Sequence, residues 1–166
     1  AIPQVLWEVT VESFNSLDDL MRNYQVRFCV IDSQPDRRHA HEFANRFYGF
    51  VRLCNYGNSI NGKEIHISKD DAPEPTITVD RTSWLDLSLG RFKTKRIRLP
   101  YNISIDYCRQ IKAPVRIYEK DSNGNPVGRY VEGSDADHFA HSRNYAEIAL
   151  PLATNLALSI DIGQIL

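Results

Sequence analysis

The fold is decided by the stretch Val26-Arg27-Phe28-Cys29-Val30-Ile31-Asp32-Ser33-Gln34-Pro35-Asp36. Its apolar and β-branched residues predict a strand that is buried on both faces. Pro35 ends this strand, and Asp36 is placed to cap a helix over residues 37–47. Asp32 then lies at the carboxyl end of a buried strand, where ligands collect in open α/β sheets. An Asp at this position can equally be a simple turn former or helix cap.

The rest of the chain alternates between strand and helix patterns. We predict strands over residues 3–11, 50–56, 76–79, 115–119 and 127–131, and helices over residues 16–24, 81–92, 105–111 and 136–150. Pro151 is expected to end the last helix. Because a strand, a helix and a strand follow one another, a parallel crossover is expected. The sequence therefore predicts one α/β domain over residues 1–151 and an apolar tail over residues 152–166, which would be a final strand or a segment that pairs elsewhere.

The composition is that of an ordinary globular domain. The chain has 166 residues, of which 42% are hydrophobic and 25% charged, enough for one domain with a real core. The formal net charge is −1, so nucleic-acid binding would have to depend on a local patch. No apolar run is long enough to span a membrane, and the three cysteines lack metal-type spacing.

One local patch is strongly basic. Residues 91–98 contain five cations interleaved with apolar residues: Arg91, Lys93, Lys95, Arg96 and Arg98. Such a stretch suits contact with a phosphate backbone. The alternative is a solvated amphipathic element whose charged side chains cover apolar surface.

Several carboxylates are placed at the ends of predicted elements. Asp32 and Asp80 each follow a strand, and Asp135 and Asp137 precede the last helix, next to His138. Carboxylate oxygens bind Mg²⁺ and similar ions, which activate water and stabilise leaving oxygens in phosphodiester cleavage. The chain has no glycine-rich phosphate loop and no Gly-x-Ser-x-Gly nucleophile motif.

The order of these pieces resembles the C-terminal nuclease domain of the large terminase subunit of tailed phages, the DNA-packaging motor protein. The matching pieces are Val30-Ile-Asp-Ser-Gln-Pro-Asp36, residues 43–51, Val79-Asp-Arg-Thr82, Ile97-Arg-Leu-Pro100 and Asp137-His-Phe-Ala-His-Ser-Arg-Asn-Tyr-Ala146. The resemblance extends from about Trp7 to Leu150. It implies a ribonuclease-H-like α/β fold, in which a mixed sheet is flanked by helices.

The resemblance also implies an activity and its site. The domain would be a two-metal-ion endonuclease that uses Mg²⁺ or Mn²⁺ to cut concatemeric viral DNA during packaging. Asp32 and Asp137 would be catalytic metal ligands, with Asp135 or His138 assisting, and the cations of residues 91–98 would contact double-stranded DNA. The implied partners are the terminase ATPase domain, the small terminase subunit and the portal, in the host cytoplasm.

The chain departs from the family pattern at one ligand. The strand that carries the first acid of the family should precede Asp32, and no carboxylate lies at a suitable position there. The chain is therefore expected to be a nuclease domain that lacks its first strands and is inactive alone. An alternative alignment makes Asp32 the first acid and Asp80 the second. The alternative function is a non-catalytic ribonuclease-H-like docking module that binds DNA or the portal.

Overall fold

The stretch around Asp32 forms a short strand followed by a helix. The computed structural model describes residues 2–57, 62–69 and 72–163, with side chains as far as residue 154. Strand β1 spans Cys29–Asp32 and helix α2 spans Arg37–Arg46. The Asp36 carboxylate accepts a hydrogen bond from the His39 N–H at 3.3 Å, which satisfies a backbone donor in the first turn of α2. The predicted strand, cap and helix are therefore confirmed. The strand is not fully buried on both faces, because only Val30 is buried, whereas Cys29 and Ile31 are half-buried.

The other elements within the described ranges follow the predicted order closely. The helices are α1 (Phe14–Asn23), α3 (Arg81–Lys93), α4 (Ile105–Lys112) and α5 (His138–Gly163). The strands are β2 (Val51–Tyr56), β3 (Ile65–Ile67), β4 (Thr76–Val79), β5 (Val115–Lys120) and β6 (Pro126–Val131). α1 begins slightly before the predicted residue 16 and is capped by Ser13, whose hydroxyl accepts from the Ser16 N–H.

The main sheet has the strand order β1-β2-β4-β3. β1, β2 and β4 are parallel, and β3 runs antiparallel to β4. The β1–α2–β2 segment is thus the expected parallel crossover. β5 and β6 form a separate antiparallel hairpin. The fold prediction is confirmed as a mixed α/β protein whose sheet combines parallel and antiparallel strands and is flanked by helices.

The chain divides into two compact units. The first, named here the basic unit, comprises Ala1–Val9 and Arg81–Asn144. It holds twelve Lys and Arg and eight Asp and Glu residues, a formal net charge of +4. The second, named the acidic unit, comprises Thr10–Asp80 and Tyr145–Leu166 and has a formal net charge of −5.

The core of the acidic unit lies where α1 and α2 pack near β2. Its buried residues are Met21, Ala40, Phe43, Ala44, Val51 and Leu53. An ion pair at the edge of this core joins the two helices. Arg46 donates two hydrogen bonds to the Asp18 carboxylate, at 2.8 and 2.9 Å, and its guanidinium lies over the Phe43 ring. The bidentate geometry fixes the orientation of α1 on α2.

The core of the basic unit lies under helix α3. Its buried residues are Leu85, Leu89, Tyr107, Ile111, Tyr130 and Ala140. Asp86 of α3 holds the hairpin in place. It accepts two hydrogen bonds from Arg116 on β5, at 2.8 and 2.9 Å, and one from the Tyr130 hydroxyl on β6, at 2.8 Å. Burial alone would raise the pKa of Asp86, but these hydrogen bonds lower it below its ordinary value.

Two predictions are wrong. Residues 3–11 were expected to form a strand, but the described part of this segment makes only an isolated parallel bridge between Gln4 and Arg98. The last helix was expected to end at Pro151, but α5 continues through this residue to Gly163. Proline removes one backbone hydrogen bond, which a helix tolerates where the following residues favour helix, as the Leu- and Ala-rich sequence here does. Most of the predicted tail is therefore helical.

Gly128→Ala is expected to lower the free energy of unfolding by about 1–2 kcal/mol. A Cβ at residue 128 would lie 2.6 Å from the Arg116 guanidinium carbon, so the guanidinium would have to shift and its hydrogen bonds to Asp86 would be weakened. Urea unfolding followed by circular dichroism measures the change.

The matched control is Gly90→Ala in α3. A Cβ at residue 90 meets no atom within 4 Å, so alanine should stabilise the helix by roughly 0.5–1 kcal/mol. Unchanged stability in Gly128→Ala would contradict the role given to the Arg116–Asp86 pair.

Candidate functional site

The parallel strands bring polar residues to one edge of the sheet, named here the carboxyl edge. Asp32 is the last residue of β1 and pairs with Cys54 of β2. Asn55 and Tyr56 therefore lie one and two residues beyond the level of Asp32 along β2. Val79 pairs with Tyr56, and Asp80 follows it at the end of β4. Parallel strands end on the same side of a sheet, which is the usual place for a binding site in such folds.

Asp32 is exposed and held in position by two donors. Its Oδ1 accepts a hydrogen bond from the Gln34 N–H at 2.9 Å, and its Oδ2 accepts one from the Tyr145 hydroxyl at 2.6 Å. Next to it, the Ser33 hydroxyl donates to Asn55 Oδ1 at 2.6 Å. The turn after β1 therefore fixes the carboxylate while its face remains open to solvent.

Tyr145 connects α5 with the carboxyl edge inside the acidic unit. Its ring stacks on Tyr56 with the centroids 6.0 Å apart. Burial raises the pKa of Tyr145 above its ordinary value, and the nearby Tyr56 and Asp32 raise it further. The phenol is therefore a hydrogen-bond donor at neutral pH. Burial also raises the pKa of the neighbouring Cys54 thiol to about 12, so this cysteine is not a nucleophile.

Asp80 lies on the same edge but away from Asp32. Asp32 ends β1 and Asp80 follows β4, and these two strands are the neighbours of β2. Along the strand direction, Asp80 lies three residues beyond Asp32. With standard strand spacings the two Cα atoms are roughly 14 Å apart. Carboxylates at this separation do not bind one ion together.

The other predicted metal ligands belong to the basic unit. Asp137 directly precedes α5, and its Oδ2 lies 3.3 Å from His141 Nε2, one helical turn further on. The Arg81 Nη2 lies 3.2 Å from the same nitrogen. Asp135 and His138 are exposed. Asp32 belongs to the acidic unit and Asp137 to the basic unit.

A two-metal centre needs several carboxylate or imidazole groups close together. Across residues 2–57, 62–69 and 72–163, no group of three or more His, Cys, Asp or Glu side chains is arranged to hold a metal ion. The described residues therefore do not fit a two-metal centre on their own.

The basic stretch lies at the end of α3 and in the segment after it. Lys93, Lys95, Arg96 and Arg98 are exposed, and Arg91 is half-buried. Lys95 adopts a left-handed backbone conformation, with φ of 55°, which ends the helix. The backbone of Arg98 then pairs with residues 3 and 5, so the chain continues in an extended conformation.

No protein-family model, curated protein or solved structure matches the chain. No helix in the described part of the chain is both long and apolar enough to cross a bilayer.

Sequence reasoning missed the aromatic residues of the carboxyl edge. Tyr56 and Tyr145 were counted as parts of a strand and a helix, and the contact of Tyr145 with Asp32 joins residues 113 positions apart. One signal was present in the sequence. Tyr145 lies four residues, about one helical turn, after His141, within the segment from Asp137 to Ala146 that carries the resemblance.

Tyr145→Phe is expected to reduce the loss of stability at high pH. The pKa of Tyr145 is 10.0 in the unfolded chain and higher in the folded one. Above about pH 10 the unfolded state loses a proton that the folded state keeps, so the free energy of unfolding falls as the pH rises, by up to about 1.4 kcal/mol per pH unit. The phenylalanine variant lacks this contribution.

Urea unfolding between pH 8 and 11 tests this prediction, with Tyr101→Phe as the control because the Tyr101 side chain is fully exposed. If the free energy of unfolding changed with pH to the same extent in Tyr145→Phe and in the unmutated chain, Tyr145 would not be held protonated by the fold.

Proposed function

We propose that this chain is a DNA-binding domain whose basic unit contacts the phosphate backbone of double-stranded DNA. The observation that carries the proposal is the segregation of charge, because a chain of net charge −1 contains a unit of net charge +4. Phosphate backbones bind such surfaces without regard to base sequence, since each contact releases condensed counterions.

Some cations of the basic unit are paired with carboxylates and others are not. Arg116 and Arg129 form ion pairs with Asp86 and Glu119, so their charges are neutralised within the fold. By contrast, Lys95, Arg96 and Arg98 form no ion pair with any residue that the structure describes. These three cations are therefore available to phosphates.

The proposal corresponds to the docking-module alternative implied by the resemblance to terminase nuclease domains. In that form, the domain would be a ribonuclease-H-like module that attaches to viral DNA or to the portal. The mixed sheet flanked by helices supports this proposal, and so does the position of the basic stretch directly after α3.

Arg96→Gln/Arg98→Gln is expected to weaken DNA binding and to reduce its salt dependence. Each phosphate contact that is lost should lower the slope of log K against log salt concentration by about 1, so the double variant should lose about 2. Fluorescence anisotropy with a short duplex between 50 and 200 mM salt measures both quantities.

The matched control is Arg27→Gln/Lys63→Gln, which removes two exposed cations from the acidic unit. Equal slopes for the two double variants would show that binding is a general effect of charge and does not use the basic stretch.

We also propose a second function, a metal-dependent endonuclease, because the exposed and positioned Asp32 carboxylate lies at the carboxyl edge. Asp32 would be its principal acidic residue. The described residues do not complete a metal centre, so this function requires a further ligand beyond Asp32 and Asp80.

Asp32→Asn is expected to abolish any nicking of supercoiled plasmid that the chain shows with Mn²⁺. The control is Asp19→Asn, an exposed carboxylate on α1 that should leave nicking unchanged. Agarose gel electrophoresis measures the product. Nicking that persists in Asp32→Asn, or in excess EDTA, would rule out this function.

A further inference from the structure

The basic unit contains an open groove with a volume of about 480 Å³. Helix α4 forms one wall, and the start of β5 together with the segment after β6 forms the other. This volume is within the range of small-molecule binding sites. None of the residues proposed above to contact DNA lines it.

The α4 wall combines apolar and cationic side chains. Ile105, Cys108, Arg109 and Lys112 line the groove, and their spacing of three and four residues places them on one helix face. Arg109 and Lys112 are exposed and form no ion pair within the described part of the chain. Ile105 is 80% exposed, so its apolar side chain is accessible to a ligand in the groove.

The opposite wall carries hydrogen-bonding groups. It is formed by Val115, Gly133, Ser134 and Asp135. A Cβ at Gly133 would collide with the Ala113 carbonyl oxygen, so only glycine allows this segment to lie against the end of α4. Among the described residues, Asp135 makes no ion pair, so its carboxylate and the two cations of α4 face the groove without neutralising each other.

We propose that this groove binds a nucleotide. Arg109 and Lys112 would hold the phosphate, as paired cations do in phosphate sites. Ser134 and Asp135 would accept hydrogen bonds from the ribose hydroxyls or the base amino group. Ile105 and Val115, which is also exposed, would contact the base. The negative charge of Asp135 keeps the phosphate on the α4 wall and so fixes the direction in which the ligand binds.

The ligand has two possible sources, a free nucleoside monophosphate or the 5′-phosphorylated end of a DNA strand. Both present the same phosphate, sugar and base. The proposal is separate from the DNA contact proposed above, because it uses no residue between 91 and 98.

Cys108 provides a direct assay of the groove. Burial raises the pKa of the Cys29 and Cys54 thiols to about 12, so a thiol reagent should react first with Cys108. The rate of Cys108 modification by a disulfide reagent is measured on the full chain with adenosine monophosphate, with inorganic phosphate, and with short oligonucleotides that carry or lack a 5′-phosphate.

We expect adenosine monophosphate or the 5′-phosphorylated oligonucleotide to slow the modification about tenfold at ten times its Kd, because only about a tenth of the grooves are then free. Protection by adenosine monophosphate identifies a free nucleotide as the ligand, and protection by the phosphorylated oligonucleotide alone identifies a strand end. Arg109→Gln/Lys112→Gln should abolish protection, whereas Lys120→Gln, an exposed cation outside the groove, should retain it.

Absence of protection by both nucleotide probes would overturn the proposal, as would equal protection by inorganic phosphate, because the apolar wall and Asp135 would then contribute nothing. Protection that persists in Arg109→Gln/Lys112→Gln would also overturn it. Isothermal titration calorimetry on the unmodified chain provides a second measurement. Protection retained in Arg96→Gln/Arg98→Gln together with lost DNA binding would separate this site from the DNA contact.

Discussion

The parallel pairing of β1, β2 and β4 is the constraint on which the acidic unit depends. Parallel neighbours cannot be joined by a tight turn, so the chain must cross over between them. Helix α2 makes the first crossover, and its buried Phe43 and Ala44 belong to the same core as Val51 and Leu53 of β2. The same constraint places the strand ends together, which is why Asp32, Tyr56 and Asp80 share an edge.

Local patterns in the sequence predicted most of the elements, because the signals are short-range. The cap at Asp36 and the strand Thr76–Val79 were both predicted correctly. The predictions failed where the outcome depends on distant partners. Residues 3–11 have a strand-like composition, but only Gln4 finds a bridge partner among the described residues, so no continuous ladder forms. Pro151 was given too much weight, because the cost of a proline inside a helix, about 3 kcal/mol, is offset here by the Leu- and Ala-rich residues that follow it.

The candidate sites were likewise predictable only where the signal is local in the sequence. Asp32 was identified because its position after a strand is visible in the sequence. Its orientation could not be predicted, since it depends on the hydroxyl of Tyr145, which is far away in the chain. Likewise, the sequence showed five cations between residues 91 and 98 but not the net charges of +4 and −5 in the two units. Which arginines are neutralised depends on the hairpin, where Arg116 and Arg129 meet their carboxylates.

The order of the strands also limits how the edges of the main sheet can pair with another molecule. The strands at the two ends of the main sheet, β1 and β3, have four and three residues, whereas the six-residue β2 lies between β1 and β4. A second molecule that pairs with a sheet needs a long, unprotected edge, and segments of six or seven residues are the usual nuclei of cross-β stacking. Within the main sheet, the longest strand is therefore covered by neighbours on both sides, and the outer strands are too short to replace it.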